Sequence, residues 1–184
     1  MRADACALPF GDASFDQAFC LLVLQFVPDA ERAVAEMCRV VRPGGIVAAA
    51  VRAGATGMTT QRMFWDAAAM LDPALAFARD SFYRRPMTQP NEMKRLWTRL
   101  GLTGVEETEL AIQEEYTCFD AYWNRLNAGA STLGKYVVDL SEDLRRRLEH
   151  SLRTAYQRDQ PDAPRSFTAV VLACRGVVPQ TTQQ

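Results

Sequence analysis

FDQAFCLLVLQFV, residues 15–27, is an almost continuous apolar run with aromatic and β-branched members. Such a run is typical of a strand buried on both faces, so we predict a central parallel strand. IVAAAV, residues 46–51, predicts a second one. Between them, Asp29 is placed to cap a helix over residues 30–41, and the turn at Pro43–Gly44–Gly45 follows it. These elements predict a right-handed strand–helix–strand unit.

The rest of the chain alternates helical and extended patterns. Helical spacing of apolar residues predicts a helix around residues 63–71, closed by Asp72 and Pro73, and further helices over residues 91–100, 118–127 and 142–156. Further strands are predicted over residues 105–116, whose glutamates favour the sheet margin, and over residues 167–174. The sequence therefore predicts an α/β fold.

Composition excludes several classes of protein. With 184 residues of which 48% are apolar, the chain is long enough for one globular domain. Its 21 Lys and Arg nearly balance 22 Asp and Glu, which argues against a nucleic-acid partner. Five scattered cysteines without a C-x-x-C pair and a single histidine argue against disulfides and a metal centre. No membrane-length apolar stretch or signal peptide is evident, so we expect a cytoplasmic protein without a membrane partner.

Three motifs lie close together near the amino terminus. They read DACALPFGDASFD over residues 4–16, VLQFVPD over residues 23–29 and EMCRVVRPGG over residues 36–45. In order and spacing they resemble the D-A-x-x-L-P-F-x-D-x-S-F-D signature, the post-strand segment and the E-x-x-R-V-L-R-P-G-G turn of the type 11 family of class I S-adenosylmethionine-dependent methyltransferases. The resemblance is dense over residues 4–51 and rests beyond them on the order of elements.

The resemblance implies a Rossmann-like, three-layer αβα fold with strand order 3-2-1-4-5-7-6 and an antiparallel last strand. By that map, strands 4, 5, 6 and 7 are residues 15–22, 46–51, 105–116 and 167–174. Strands 1 and 2, most of strand 3 and the glycine-rich cofactor loop would precede Met1. We therefore expect residues 1–184 to be one N-terminally truncated methyltransferase domain. Helical insertions after strands 5 and 6, residues 52–87 and 117–165, would cover the substrate and set its specificity.

The resemblance also implies five residues that bind S-adenosylmethionine. Asp4 and Ala5 match the pair that recognises adenine, through a carboxylate and a backbone N–H. Cys20 and Leu21 lie at the carboxyl end of strand 4, where main-chain carbonyls would hold the methionine part. Gln25 matches a position next to the cofactor. The alternatives are a disordered acidic residue for Asp4, a small buried side chain for Cys20 and an ordinary polar strand end for Gln25.

Methyl transfer from a sulfonium is an in-line displacement, so aligning donor and acceptor can suffice, and a base is needed only if the acceptor must lose a proton. No catalytic residue is therefore assigned. The candidates for a base are Tyr116, Tyr122, Glu114 and His150. Four aromatic residues either line an acceptor pocket or belong to the core: Phe64, Trp65, Tyr122 and Trp123.

We expect a methyltransferase that acts on a small organic molecule. The alternative is a non-catalytic methyltransferase-like fragment or interaction module, and a nicotinamide-dependent oxidoreductase is disfavoured because no G-x-G-x-x-G occurs. We also expect that the chain alone does not turn over. It would either self-associate through the open edge of strand 4 or belong to a longer protein.

Overall fold

A computed structural model describes residues 2–54, 57–129 and 131–180 of the chain. Its residues fall into two units. Unit 1 comprises residues 1–54, 84–110 and 170–184, and unit 2 comprises residues 55–83 and 111–169. Each unit has its own apolar core.

The described strands form a four-stranded sheet in the order β1-β2-β4-β3. They are β1 (Phe15–Leu21), β2 (Val41–Arg52), β3 (Thr103–Tyr116) and β4 (Arg165–Val177). β1 and β2 are parallel, whereas β2 and β4 are antiparallel. In the numbering of the resemblance this is 4-5-7-6 with strand 7 antiparallel to strand 5, so the predicted α/β fold and its strand order are confirmed.

Helix α1 (Ala30–Val40) covers one face of the parallel pair. It begins as predicted, because an Oδ of Asp29 accepts a hydrogen bond from the amide of Arg32 at 2.9 Å. Its buried side chains are Ala30, Ala33, Val34, Met37 and Val40. The helix ends one residue earlier than predicted, because Val41 is already extended and pairs with Phe15.

The glycine turn lies inside β2 rather than before it. Val41 pairs with Phe15 but the next regular pair is Ile46 with Gln17, so the residues between bulge out of the ladder. Gly44 has a φ of +80°, which favours glycine. At Gly45 a Cβ would collide with the carbonyl oxygen of Asp16. The turn therefore lets the chain pass directly from α1 into β2.

Helix α4 (Glu92–Arg99) packs against the same core of unit 1. Met93, Leu96 and Trp97 are buried on this face. The indole Nε1 of Trp97 donates to the carbonyl oxygen of Val47 in β2 at 3.2 Å. This contact fixes a large side chain against the strand next to β1.

The expectation that residues 15–27 form one strand buried on both faces was wrong. β1 ends at Leu21, because Leu22 adopts a φ of +56° and a single 3-10 turn, Leu24–Phe26, follows. Phe19 and Leu21 are 63% and 67% exposed, since alternate side chains of β1 point away from α1. The apolar run joins a strand with one covered face to a turn that buries Leu24, and hydrophobicity alone does not separate the two.

The described residues of unit 2 form five helices and an aromatic core, together with the adjoining ends of β3 and β4. The helices are α2 (Thr59–Leu71), α3 (Pro73–Tyr83), α5 (Phe119–Asn127), α6 (Thr132–Asp139) and α7 (Glu142–Gln157). The four candidate pocket aromatics are all buried in this core, which confirms the core alternative: Phe64, Trp65, Tyr122 and Trp123.

Two helices of unit 2, α3 and α6, were not predicted. Pro73 was interpreted as the end of a helix, but it begins α3, since proline is favoured at the first helical position. An Oδ of Asp72 accepts from the amide of Ala74 at 2.8 Å and supports that start. Helix α6 begins at the cap formed by Ser131, whose Oγ accepts from the amide of Gly134.

Arg39 ties the segment before β1 to helix α1. Its guanidinium donates to both carboxylate oxygens of Glu36 and to an Oδ of Asp12, all within 2.8 Å. It also donates to the carbonyl oxygens of Leu8 and Phe10, at 3.0 and 2.8 Å. The arginine therefore uses all five of its N–H donors within its own chain.

Glu36 completes this network. Its Oε2 also accepts from the amide of Leu8 at 2.8 Å. The hydrogen bonds from Arg39 and then from Leu8 hold the pKa of Glu36 at about 2, well below its usual range. The charged form of Glu36 is thus the form that the fold stabilises.

We expect Trp97→Ala to lower the free energy of unfolding by about 3–5 kcal/mol, because it removes a fully buried indole from the core of unit 1. Trp97→Phe should cost less, since it keeps most of the apolar contact and loses the hydrogen bond to Val47. Thr98→Ala, on the exposed side of α4, should stay within about 0.5 kcal/mol of the wild type. Urea unfolding followed by circular dichroism measures all three. A Trp97→Ala loss no larger than that of Thr98→Ala would contradict the assignment.

We expect Glu36→Gln to destabilise the protein at neutral pH and to lose this effect in acid. A carboxyl whose folded pKa is depressed stabilises the fold above its unfolded pKa, about 4.3, and loses that contribution as pH falls towards its folded value of about 2. Urea midpoints of wild type and variant at pH 7, 4 and 2.5 should therefore converge. The matched control is Glu31→Gln, which removes the exposed ion pair with Arg99 and should shift the midpoint little. A constant gap between wild type and Glu36→Gln at all three pH values would refute the prediction.

Candidate functional site

The carboxyl ends of β1 and β2 lie side by side. Leu21 pairs with Ala50, and the amide of Leu22 donates to the carbonyl oxygen of Ala50 at 2.8 Å. Gln25, in the turn after β1, accepts through Oε1 from the amide of Arg52, the last residue of β2, at 3.2 Å. Three of the five predicted cofactor residues therefore lie at this edge: Cys20, Leu21 and Gln25. In open α/β sheets this is the edge at which ligands bind.

Asp4 and Ala5 lie in a tight turn before β1. The amide of Cys6 donates to Oδ1 of Asp4 at 2.9 Å, and the amide of Ala7 donates to its carbonyl oxygen. Asp4 is exposed, so its carboxylate is accessible to a ligand, whereas Ala5 packs partly against the core of unit 1. Asp4 thus takes part in a hydrogen-bonded turn, and its role in binding adenine stays a prediction.

The turn is fastened to the first turn of α1. Nε of Arg32 donates to the carbonyl oxygen of Cys6 at 2.9 Å, and Sγ of Cys6 lies 3.5 Å from the carbonyl oxygen of Asp29. Because Asp29 caps the helix that follows the carboxyl end of β1, these contacts bring Asp4 and Ala5 to the same edge of the sheet as Cys20 and Leu21.

The side chains of Cys20 and Leu21 point to opposite faces of the sheet. Cys20 packs against the core of unit 1, and its burial raises the pKa of the thiol. The thiol is therefore protonated at neutral pH and does not act as a nucleophile. Leu21 is exposed and lines an open apolar groove of about 560 Å³ together with Phe19 and Leu110. Cys20 and Leu21 could therefore both contact one ligand only through their backbone atoms.

Gln25 is 2% exposed, so it is not an ordinary surface residue at a strand end. Its Oε1 is occupied by the amide of Arg52, but its buried Nε2 has no hydrogen-bond partner among the described residues. A buried amide donor without an acceptor costs free energy. This side chain therefore marks a place where an acceptor atom of a ligand would be stabilising.

Two arginines that were not predicted as site residues contact the ring of Phe26, the residue after Gln25. The guanidinium carbon of Arg85 lies 4.4 Å, and that of Arg52 5.5 Å, from the ring centroid of Phe26. Burial, and then the charge of Arg85, lowers the pKa of Arg52. Arg52 directly follows the apolar run of residues 46–51 at the end of β2, and this charged residue at a strand end was the available signal. Arg85 follows the strand by 33 positions, and no local pattern marks it.

The four candidates for a general base all lie in unit 2, and their contacts there are structural. The phenol of Tyr122 donates to the backbone carbonyl oxygen of Thr60. The side-chain hydroxyl of Thr60 in turn donates to an Oε of Glu114 at 2.7 Å. Burial raises the pKa of both Tyr116 and Tyr122, so both phenols are protonated at neutral pH and are poor bases. His150 is exposed on α7.

Within residues 2–54, 57–129 and 131–180, no group of three or more His, Cys, Asp or Glu side chains is arranged to hold a metal ion. In the same part of the chain, none of the helices has the length and apolar character needed to cross a bilayer.

Comparison with known sequences places the match at the amino-terminal motifs. Residues 1–49 match the family model described as a methyltransferase domain. A demethylmenaquinone methyltransferase of Desulfitobacterium hafniense (strain Y51) is 34% identical over 121 residues, which cover 60% of this chain and 47% of the relative. A malonyl-[acyl-carrier protein] O-methyltransferase of Methylococcus capsulatus is 42% identical over 64 residues, 35% of this chain and 23% of the relative. The chain thus spans less than half the length of these curated relatives.

Solved structures share the fold at low sequence identity. The YcgJ protein of Bacillus subtilis superimposes with a TM-score of 0.55 at 17% identity, over 98% of this chain and 71% of that one. A protein of Anabaena variabilis ATCC 29413, described as a methyltransferase from an antibiotic biosynthesis pathway, gives a TM-score of 0.56 at 14% identity, over 94% and 71%.

The fold, the strand order and the sequence match agree with the resemblance that the three motifs indicated. The motif-bearing segment of this chain, residues 1–49, is thus similar to the methyltransferase domain family.

Proposed function

We propose that the protein is an S-adenosylmethionine-dependent methyltransferase that acts on a small organic molecule. The observation that carries the proposal is the hydrogen-bonded turn at Asp4 and Ala5, whose neighbour Cys6 contacts Asp29 and Arg32 at the start of α1, the helix that follows the carboxyl end of β1. The two curated relatives described above are named as a demethylmenaquinone methyltransferase and a malonyl-[acyl-carrier protein] O-methyltransferase. These names state the acceptors of the relatives and not the acceptor of this protein.

The residues at this edge fit the proposed cofactor. The cofactor would supply a methyl group on a positively charged sulfur. The exposed carboxylate of Asp4 would accept from the adenine amine, and the backbone N–H of Ala5 would donate to a ring nitrogen. The carbonyls of Cys20 and Leu21 would accept from the methionine part.

This chain's own contribution to the reaction would be alignment. Arg32 and Arg39 hydrogen-bond the segment before β1 to α1, which would help to hold the residues proposed to bind adenine in position. Positioning of this kind can supply a large part of the rate acceleration in a displacement that needs no covalent intermediate. No residue is assigned as a base, because the phenols in question are protonated and structurally engaged.

We further propose that unit 2 carries the acceptor specificity. Its residues coincide largely with the two predicted insertions, residues 52–87 and 117–165, and it has a core separate from that of unit 1. Exchange of both segments with those of a relative should change the preferred acceptor while donor affinity stays the same. Unchanged acceptor preference in an active hybrid would refute this.

The remaining proposals concern the protein's surroundings. The cytoplasm is the proposed compartment, supported by the five free cysteines, since thiols stay reduced there.

The outer edge of β1 is the proposed surface of self-association, supported by the position of β1 at the end of the described sheet. Sedimentation velocity at several concentrations tests it, and a strictly monomeric protein would refute it.

We expect Asp4→Ala to weaken binding of S-adenosylhomocysteine about tenfold or more, because it removes a charged acceptor for the adenine amine. Isothermal titration of the protein with S-adenosylhomocysteine measures the change. Asp16→Asn is the matched control, since Asp16 is an exposed carboxylate of unit 1 that pairs with Arg42 rather than with a ligand. Equal affinities for wild type and Asp4→Ala would remove Asp4 from the site. Absence of binding by the wild-type protein would overturn the proposed function itself.

We expect Cys20→Ala to leave the affinity for S-adenosylhomocysteine within about twofold of the wild type. The contribution proposed for Cys20 is its backbone carbonyl, and the buried thiol behaves as a small apolar side chain. The same titration, together with a thermal melting curve to check folding, decides the matter. A tenfold loss in a variant that melts normally would show that the thiol itself contacts the cofactor.

A further inference from the structure

We propose that the apolar groove on one face of the sheet in unit 1 is a docking surface for a second copy of this chain. The groove, of about 560 Å³, is bounded by Phe19 and Leu21 of β1, here called the ridge, and by Leu110 of β3. Docking on this face does not depend on the proposed methyltransferase activity. It also differs from pairing through the outer edge of β1, which would extend the sheet and leave the face uncovered.

One face of the sheet in unit 1 is covered and the other is exposed. Helices α1 and α4, the α-helices that the structure describes in this unit, pack with Val47, Ala49 and Val51 in one core. Alternate side chains of the strands point to the opposite face, where Phe19 and Leu21 are 63% and 67% exposed. A contiguous exposed apolar face of this kind is typical of an interaction surface.

Large and small side chains follow a fixed order across the exposed face. Leu21 of β1 pairs with Ala50 of β2, and Ala50 pairs with Ala173 of β4. These three residues form one row, with a large side chain at one end and two small ones beside it. Phe19 begins a second row, which continues with Ala48. The alanines of both rows therefore form the floor of the groove, next to the ridge.

This order makes the face complementary to itself. A two-fold axis parallel to the strands reverses the order of the strands but not the direction along them, so each row can face the same row of a second copy. With the copies shifted sideways, Leu21 of each copy lies over Ala50 and Ala173 of the other. Sheets that pack face to face are about 10 Å apart, which lets such side chains interdigitate. The ridge of each copy then fills the groove of the other.

The charges at the border of the groove also suit an identical partner. Among the described residues that line it, the charged ones are Glu106, Glu107 and Arg175. Arg175 donates to Oε2 of Glu106 at 2.8 Å, and the carboxylate of Glu107 accepts from backbone amides at the start of α4. Because Arg175 continues the row of Phe19 and Ala48, its guanidinium would meet the ring of Phe19 of the second copy, and such a contact is attractive.

The size of the face indicates a weak dimer. Three strands of seven residues, at about 4.8 Å between strands and about 3.3 Å per residue, give an overlap on the order of 300 Å². Stable interfaces bury about 800 Å² on each partner. We therefore expect monomer and dimer to exchange, with a Kd between about 1 µM and 1 mM.

Sedimentation equilibrium over that range of concentration measures the association. Two variants change complementary halves of the contact: Leu21→Ala removes part of the ridge, and Ala173→Leu fills the floor of the groove. Phe77→Ala is the matched control, since it shortens a 77% exposed side chain on α3 in unit 2. A thermal melting curve checks the folding of each variant, and Ala50→Leu fills the same row if Ala173→Leu does not fold.

We expect the wild type and Phe77→Ala to dimerise with the same Kd. Leu21→Ala and Ala173→Leu should each weaken the dimer at least about tenfold, because a two-fold contact loses every interaction twice. An equimolar mixture of these two variants should regain affinity. In the mixed dimer the intact ridge of one copy meets the intact floor of the other, and the shortened ridge meets the filled floor.

Pairing through the outer edge of β1 uses backbone groups and does not depend on these side chains. Association that both variants retain would therefore assign the contact to the edge or to another surface and overturn the docking of this face. A wild type that stays monomeric over the whole range would overturn it as well. If both variants weaken the dimer and the mixture does not recover, the contact of ridge and groove is wrong.

Binding of S-adenosylhomocysteine is measured separately on the same protein. A wild type that dimerises through this face but does not bind the nucleoside would leave the docking surface standing and overturn only the proposed function.

Discussion

Arg39 is the residue on which the arrangement of the amino-terminal segment depends. Its five N–H donors connect the carbonyls of Leu8 and Phe10 and the carboxylate of Asp12 to Glu36 on α1. A segment without regular secondary structure loses conformational entropy when it is ordered, and charge-assisted hydrogen bonds offset that loss. Because α1 is itself packed on the parallel strands, the turn at Asp4 inherits a fixed position relative to the sheet.

The parallel pair of β1 and β2 supplies the second constraint. Parallel strands end at the same edge, and both strands are followed by residues that need polar partners away from regular structure. Gln25 meets this need by accepting from the amide of Arg52, which links the turn after β1 to the end of β2. The same link buries the amide of Gln25 and leaves one donor unsatisfied.

Sequence patterns predicted the features of the fold that rest on local rules. Asp29 capped α1 where expected, and the four strands took the predicted order. They did not predict that β1 stops at Leu21, since Leu22 and Val23 are as apolar as the strand and only the backbone shows the turn. Pro73 misled because proline both ends one helix and starts the next. For the site, the motif named Gln25 but gave no reason for its burial.

Two kinds of arginine in unit 1 explain why the motif-based view of the site was incomplete. Arg39 binds Glu36 three positions away on the same helix, so the pair is visible as E-x-x-R in the sequence, and its donors are filled by its own chain. A guanidinium whose donors are filled in this way has none left for a ligand. Arg52 and Arg85 both contact the ring of Phe26, across 33 positions of chain, and the charge of Arg85 adds to burial in lowering the pKa of Arg52. A short motif cannot encode such a pair, because the folded strand and the segment before α4 must both be in place before the two charges meet.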